Sequence, residues 1–360
     1  MRFDQLTIPV TIPVETPVLV LDMDKMEANI RTMQKLVQDS GVALRPHYKS
    51  HKCPQIAHWQ MDSGAVGITC AKLGEAEDLA DAGIRDILIA NQVIDPAKVS
   101  RLAHLARRCR LGVCVDDEEN IHNLEKAAAL AASTLYCLIE YEVGMCRCGV
   151  ETKEEFLRLA KIISACPHLV FEGIQAYAGN LAHMTGSDAR RAASQKVDAR
   201  VKELIDYLAD NGMPAQKVSG ASTGTCLFKG KGVYTEMQAG SYLLMDGAYG
   251  ALGLDFQNAL FVLSDVISVK KDRVITDAGL KSIATDQGNP RLVGHPGAEL
   301  NLSEEHIRIS LPGHNYRIGD KVLFIPAHGC TTVNLYDRIY LIRGNEITGV
   351  VEVTSRGKSR

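Results

Sequence analysis

Lys49 stands in the string Arg45-Pro46-His47-Tyr48-Lys49-Ser50-His51-Lys52. A lysine withdrawn from water and set among other cations gives up its proton more readily and can condense with a carbonyl to a Schiff base. His47, His51 and Lys52 would supply that field; the plainer alternative is a solvated basic turn. A second string, Ser219-Gly220-Ala221-Ser222-Thr223-Gly224-Thr225, is echoed by Ala239-Gly240-Ser241-Tyr242. Small residues let backbone N–H groups close on an anion such as phosphate, and hydroxyls add donors. A third, Pro326-Ala327-His328-Gly329-Cys330, places an imidazole and a thiol two residues apart. On an extended strand that spacing puts both on one face. The pair suits Zn²⁺ and leaves coordination positions for water or substrate. A fourth, Glu140-Tyr141-Glu142-Val143-Gly144-Met145-Cys146-Arg147-Cys148-Gly149, offers Arg147 as a fixed positive donor, with an ion pair to Glu140 or Glu142 as its competing use. The fifth runs from Gln175-Ala176-Tyr177 to His183; Tyr177 could wall a site and His183 act as acid or base.

Strand-like runs at 18–21, 44–47, 67–70, 87–90, 111–115, 135–141, 170–176 and 217–220 must position these groups. Between them lie amphipathic stretches at 24–39, 72–82, 96–107, 117–131, 153–165 and 190–211, with Met26, Ile30, Met33 and Leu36 at helical spacing in the first. Gly83 and Gly212 fall where helix ends favour glycine. Eight strand runs alternating with helices have the period of a (β/α)8 barrel, and a doubly wound open sheet fits that regularity less well. In a barrel, the strand ends that carry Lys49, Arg147, Tyr177 and the Ser/Gly/Thr loop form the active-site face. Beyond about residue 250 the texture changes to short β-prone runs at 260–269, 273–276, 306–310, 321–326, 338–342 and 349–354, a smaller β-domain to which 6–13 could add a strand.

The chain has 360 residues, 46% hydrophobic and 23% charged, with net charge −3, values of an ordinary globular protein. That charge argues against a broad non-specific nucleic-acid binder, and no apolar run reaches the length of a membrane span. Ten cysteines with no CxxC pair, in a chain whose start lacks signal-peptide character, read as reduced cytoplasmic thiols, with Cys70, Cys114 and Cys137 in core runs.

The lysine after an early strand, the loop near the eighth strand and the trailing β-domain together resemble the alanine-racemase-like, pyridoxal-phosphate-dependent enzymes. Within them the chain resembles the D-threonine aldolase, 3-hydroxy-D-aspartate aldolase and D-serine dehydratase family. The matching strings are that around Lys49, Gly74-Glu75-Ala76-Glu77, Arg147-Cys148-Gly149-Val150, Gln175-Ala176-Tyr177, Gly224-Thr225, Asp277-Ala278-Gly279-Leu280-Lys281 and Thr332-Val333-Asn334-Leu335-Tyr336-Asp337. The resemblance implies a TIM-type (β/α)8 barrel over 15–250 and a β-domain over 251–360 with 1–14, working as a homodimer. It implies that Lys49 carries pyridoxal phosphate, that Arg147 meets the cofactor's phenolic oxygen and Tyr177 its ring nitrogen, and that Thr223, Gly224, Thr225, Gly240 and Ser241 hold the phosphate. His328 and Cys330 would bind a divalent metal (Zn, Mn or Mg), and His183 would handle the substrate's hydroxyl proton. The implied reaction is retro-aldol cleavage of a D-β-hydroxy-amino acid, of the D-threonine or 3-hydroxy-D-aspartate type. The alternatives are dehydration to an oxo acid and ammonia, racemization, or a cofactor carrier. Two positions depart from the aldolase pattern: Cys330 stands where the aldolases have aspartate, as in the dehydratases, and Ala178 where they have histidine.

Overall fold

The computed structural model describes residues 11–360. β1 (Val18–Asp22) and α1 (Met23–Ser40) open it. Eight short strands follow: β2 (Ala43–Leu44), β3 (Ile68–Cys70), β4 (Asp86–Ile89), β5 (Arg110–Val115), β6 (Leu135–Glu140), β7 (Leu169–Ala176), β8 (Lys217–Gly220) and β9 (Glu236–Met237). They form one sheet in the order β2-β9-β8-β7-β6-β5-β4-β3, with parallel pairing throughout. A parallel bridge between His47 and Thr69 joins its two ends, so the sheet closes on itself. The helices α2 (Pro54–Asp62), α3 (Leu73–Asp81), α4 (Pro96–Leu105), α5 (Glu118–Ala131), α6 (Lys153–Ala165) and α7 (Ser187–Asp210) alternate with these strands along the chain. This is the (β/α)8 barrel that the sequence pattern implies.

Local chemistry sets the helix ends. The Asp95, Asp117 and Thr152 side chains accept hydrogen bonds from Lys98, Asn120 and Glu155 backbone N–H groups at the starts of α4, α5 and α6. Gly83 and Gly212 follow α3 and α7 with φ of +95° and +74°, a region that only glycine enters without strain.

The barrel's membership differs from the sequence expectation. The first strand-like run becomes β1 but pairs elsewhere, antiparallel to β10 (Leu260–Lys270) and parallel to β16 (Arg338–Arg343). β9 takes the eighth place. An apolar run such as Val18-Leu19-Val20-Leu21 is compatible with either sheet, and a two-residue strand leaves no period to detect. The strand expected over 6–13 lies largely outside the described residues.

The second sheet runs β13-β14-β11-β10-β1-β16-β17, with β15 pairing β10 and β12. It adds β11 (Arg273–Thr276), β12 (Arg291–Leu292), β13 (Glu299–Leu302), β14 (Ile307–Ser310), β15 (Lys321–Ile325) and β17 (Glu346–Glu352). Val20, Phe261, Leu263, Leu323 and Ile342 are buried together in its core. Short helices α8 (Gly247–Gly250) and α9 (Gly329–Val333) belong to the same part of the chain. The described residues divide into two compact units: those up to Met33, Ser50–Gln55 and Ser241–Gly357 form one; Gln34–Lys49, Ile56–Gly240 and Lys358–Arg360 form the other.

An ionic circuit ties six of the barrel strands together through Asp86, Arg110, Lys217 and Glu236, which open β4, β5, β8 and β9, through Arg45, which follows β2, and through Glu172 within β7. Arg45 Nε lies 2.9 Å from Glu236 Oε1 and its Nη1 2.6 Å from Asp86 Oδ1. Asp86 Oδ2 lies 3.8 Å from Arg110 Nη1, and Arg110 pairs with Glu172. Lys217 Nζ lies 3.0 Å from Glu172 Oε1 and 3.7 Å from Glu236 Oε2, which returns to Arg45. Positive and negative groups alternate all the way round. Burial disfavours the charge on Arg45, but Glu236 and Asp86 outweigh it and hold the guanidinium above its ordinary pKa. Gly67 makes room for it: a Cβ there would lie 2.0 Å from Arg45 Nη1.

Removing one partner of a buried pair leaves the other charge uncompensated. Arg45→Met is therefore expected to cost about 3–5 kcal/mol in denaturant unfolding. Arg101→Ala, which breaks the partly exposed pair with Glu77, should cost about 1 kcal/mol or less. Equal losses for the two variants would contradict a structural role for the circuit.

Candidate active site

Lys49 leaves the barrel at the C-terminal end of β2, in a single 3-10 turn over Tyr48–Ser50. Its backbone is stitched from both sides. Arg45 N–H donates to Met237 O at 2.9 Å, and Thr69 N–H donates to Pro46 O at 2.9 Å. The Lys49 N–H donates to His47 Nδ1 at 3.4 Å. The lysine side chain opens into a cavity of about 190 Å³ also lined by His47, Asn91, Arg147, Gln175 and Tyr177. Lys49 Nζ lies 5.5 Å from the centre of the Tyr177 ring.

Each wall of that cavity has a support. Tyr177 rests against Gly179, where a Cβ would come within 2.5 Å of the ring. Behind it, Gln175 and Gln238 exchange amide hydrogen bonds of 2.7 and 3.2 Å, and Gln238 donates to Ser219 Oγ at 2.8 Å. Arg147 serves both uses considered from sequence: it lines the cavity, and its Nη2 lies 3.5 Å from Glu140 Oε1. Burial raises the Glu140 carboxyl above its ordinary pKa, while Gln92, donating at 2.8 Å, and Arg147 oppose the rise.

The Ser/Gly/Thr loop folds tightly after β8. Ser222 N–H donates to Thr225 Oγ1 at 3.0 Å, and the two hydroxyls lie 3.2 Å apart. Thr223 and Thr225 are buried, as are Gly224 and Gly240. Gly224 presses against the segment that follows Tyr177: a Cβ there would sit 2.0 Å from Ala182 O. His183 comes next in that segment and is half-buried, but it does not line the cavity that holds Lys49.

His51 and Lys52, expected beside Lys49, are buried in the other unit. That unit also holds His328 and Cys330. The extended strand expected for this pair is replaced by a turn: His328 is extended, and Cys330 lies in the first turn of α9. Asp246 fixes the turn by accepting from Gly329 N–H at 2.9 Å. Ser50 Oγ, from the residue after Lys49 in sequence, lies 3.6 Å from Cys330 Sγ; Ser241 Oγ lies 3.9 Å away. A hydrogen bond to Cys330 pushes the His328 imidazole up to about 9, against burial and with help from Asp286. Asp286, which no sequence pattern marked, lies 2.6 Å from His328 Nδ1. Among the described residues no group of three or more His, Cys, Asp or Glu side chains is placed to hold a metal, so His328 and Cys330 would act as a two-residue site.

Both sets suit the groups that the sequence implies. The lysine cavity with its cationic and aromatic walls, and a buried loop too tight for a Cβ at Gly224, fit pyridoxal phosphate. Imidazole with thiol fits a borderline or soft divalent ion.

Comparison with known proteins agrees with this geometry. Residues 21–247 match the family of the alanine racemase N-terminal domain, and residues 259–342 match the putative serine dehydratase domain. The fold and site thus define an alanine-racemase-like enzyme, for which pyridoxal phosphate is the expected cofactor. The chain is 39% identical to the D-threonine aldolase of Arthrobacter sp, over 96% of this chain and 94% of that protein. It is 37% identical to the 3-hydroxy-D-aspartate aldolase of Paracoccus denitrificans, over 96% and 93%. The crystal structure of D-threonine aldolase from Filomicrobium marinum superposes with a TM-score of 0.93 at 36% identity, covering 98% of this chain and all of that one. The chain belongs to the D-threonine aldolase and 3-hydroxy-D-aspartate aldolase family of lyases. The D-threo-3-hydroxyaspartate dehydratase of Delftia sp. HT23 is more distant, at 26% identity and TM-score 0.87, covering 94% and 97%. Its solved variants include alanine replacements of a histidine and of a cysteine two positions later, the cysteine variant in a metal-free form.

Gly224→Ala must push its own loop away from Ala182, an overpacking that typically costs about 1–3 kcal/mol. Gly230→Ala adds a methyl to open space. The expected outcome is a lower midpoint of thermal unfolding and weaker pyridoxal phosphate retention for the first variant alone, measured by melting and cofactor titration. Unchanged retention in Gly224→Ala would remove this loop from the cofactor's contacts.

Proposed function

We propose that this chain is a pyridoxal-phosphate- and divalent-metal-dependent lyase that cleaves D-3-hydroxy-amino acids. The products are glycine, or another small amino acid, and an aldehyde or oxo acid. The observation that carries the reading is the cavity that gathers Lys49, Arg147 and Tyr177, in a chain whose similar relatives are aldolases. When bound, the cofactor supplies a sink for the electron pair of the broken Cα–Cβ bond, and the metal supplies Lewis acidity at the substrate hydroxyl.

This chain's residues do the rest. Lys49 holds the cofactor covalently. Arg147, restrained by Glu140, donates to its phenolic oxygen, and Tyr177 meets its ring nitrogen. Thr223, Gly224, Thr225, Gly240 and Ser241 hold its phosphate. His328 and Cys330 bind the metal. His183 takes the proton of the substrate hydroxyl as the Cα–Cβ bond breaks, and a proton delivered to Cα completes glycine. The side chains around the cavity would orient the substrate and so select which of its bonds breaks. Homodimeric assembly rests on the family resemblance. No helix among the described residues is long and apolar enough to cross a membrane, and none of the ten cysteines is in a disulfide. The second point suits a reducing, cytoplasmic setting.

One observation favours a second reading. Cys330 follows the histidine–cysteine spacing replaced in the Delftia dehydratase variants. Loss of the hydroxyl instead of the aldehyde would then give an oxo acid and ammonia. Relative barriers differing by a few kcal/mol decide between the outcomes, since about 1.4 kcal/mol is tenfold in rate.

Purified enzyme with D-threonine and Zn²⁺ or Mn²⁺ is expected to release glycine and acetaldehyde in equal amounts, and to stop on chelation with pyridoxal phosphate still bound. 2-Oxobutanoate and ammonia would establish the dehydratase instead, and turnover that survives chelation would overturn the metal's part. Lys49→Ala should abolish turnover. Cys330→Asp should shift metal preference from Zn²⁺ towards harder ions such as Mn²⁺; an unchanged profile would count against Cys330 as a ligand.

A further inference from the structure

Asp286 sits outside every string that the function uses, yet both its carboxylate oxygens are engaged with the metal motif. Oδ2 lies 2.6 Å from His328 Nδ1, and Oδ1 accepts from Thr331 Oγ1 at 2.8 Å. A carboxylate can only accept, so His328 Nδ1 carries the hydrogen of this contact. The loop bearing Asp286 is itself fastened to the motif. Thr332 Oγ1 accepts from Ala284 N–H at 3.3 Å and donates to His328 O at 2.8 Å. The aspartate is thus held on two sides, from a backbone that His328 also holds, while 45% of its side chain remains open to solvent.

We propose that Asp286 is a positioning residue for metal binding: by accepting from Nδ1–H it fixes the His328 ring and leaves Nε2 to coordinate the ion. Two consequences follow from elementary chemistry. A ring held by a carboxylate cannot turn its wrong nitrogen to the metal, so less orientational freedom is lost on binding. The negative charge also makes Nε2 a better donor. With two protein ligands in place of the three or four of most zinc sites, the orientation of each matters more. Thr331 sets the aspartate in turn, which gives the residue after Cys330 a purpose beyond spacing. The inference rests on the reading of His328 and Cys330 as metal ligands.

The test uses enzyme loaded with pyridoxal phosphate and stripped of metal, titrated with Zn²⁺ in competition with a chromogenic chelator. Removal of such an outer partner typically weakens metal binding by about 10–100-fold. Asp286→Ala is expected to fall in that range. Asp286→Asn, whose amide oxygen still accepts from Nδ1–H but carries no charge, should recover part of the loss. Thermal unfolding of the metal-free proteins should change little, because the contacts of Asp286 with His328 and Thr331 lie at the surface. His328→Ala and Cys330→Ala run in parallel. If these two lose Zn²⁺ while Asp286→Ala binds within about twofold of the parent, the proposal falls and the metal reading stands. If Asp286→Ala loses Zn²⁺ as completely as His328→Ala, the aspartate is a ligand and the positioning role is overturned. If His328→Ala and Cys330→Ala still bind normally, the metal reading and this inference fall together.

Discussion

The strand that leads to Lys49 is two residues long, and two residues of pairing cannot by themselves fix where that lysine points. Arg45 supplies what is missing. It follows β2 directly, and its guanidinium reaches Glu236 at the start of β9 and Asp86 at the start of β4. Thr69 binds the same stretch through its Oγ1, which donates to Arg45 O at 3.1 Å, and through its N–H on Pro46 O. Only three residues separate Arg45 from Lys49, too few for slack to accumulate. The buried ion pairs need not add net stability to exert this effect. Misplacing any strand of the circuit would leave a charge without its partner, and that penalty defines how the strands close.

Closure at one end of the barrel frees the other end for chemistry. Four of the circuit's residues, Asp86, Arg110, Lys217 and Glu236, open β4, β5, β8 and β9, whereas Lys49, Arg147 and Tyr177 come from the segments that follow β2, β6 and β7. Around them the sequence uses glycine for close approach more than for flexibility. Gly67 admits the Arg45 guanidinium, Gly179 admits the Tyr177 ring, and Gly224 admits the Ala182 carbonyl. Gln175 and Gln238, which line the same cavity, are neutral amides in a reciprocal pair, so they rigidify its wall without adding charge near the lysine.

Much of this could be read from residues alone, and the misses have physical causes. Helical periodicity and apolar runs showed where the elements lie, because each burial pattern repeats several times within an element. They did not show which sheet β1 joins, since an apolar strand buried on both faces satisfies either, and β9 was too short to have a pattern. That Lys49, Arg147 and Tyr177 share one cavity was legible because each lies in the segment that follows a barrel strand. Asp286 was not: it sits in the turn Thr285-Asp286-Gln287-Gly288, where aspartate is commonplace, and its meaning arises only from a contact 42 positions away. The ionic circuit was hidden in the same way, as six ordinary charged residues spread from Arg45 to Glu236. Local spacing also misled at His328 and Cys330, which a turn into α9, rather than an extended strand, brings together.

Lys49 is the residue proposed to hold the cofactor. Borohydride reduction of the pyridoxal-phosphate-loaded enzyme, followed by proteolysis and peptide mass mapping, tests that most directly. The predicted result is a single phosphopyridoxyl adduct on the peptide containing Lys49, localised to Lys49 itself. An adduct on Lys52 or another lysine, with Lys49 unmodified, would contradict it, and with it the assignment of the β2 end as the active site.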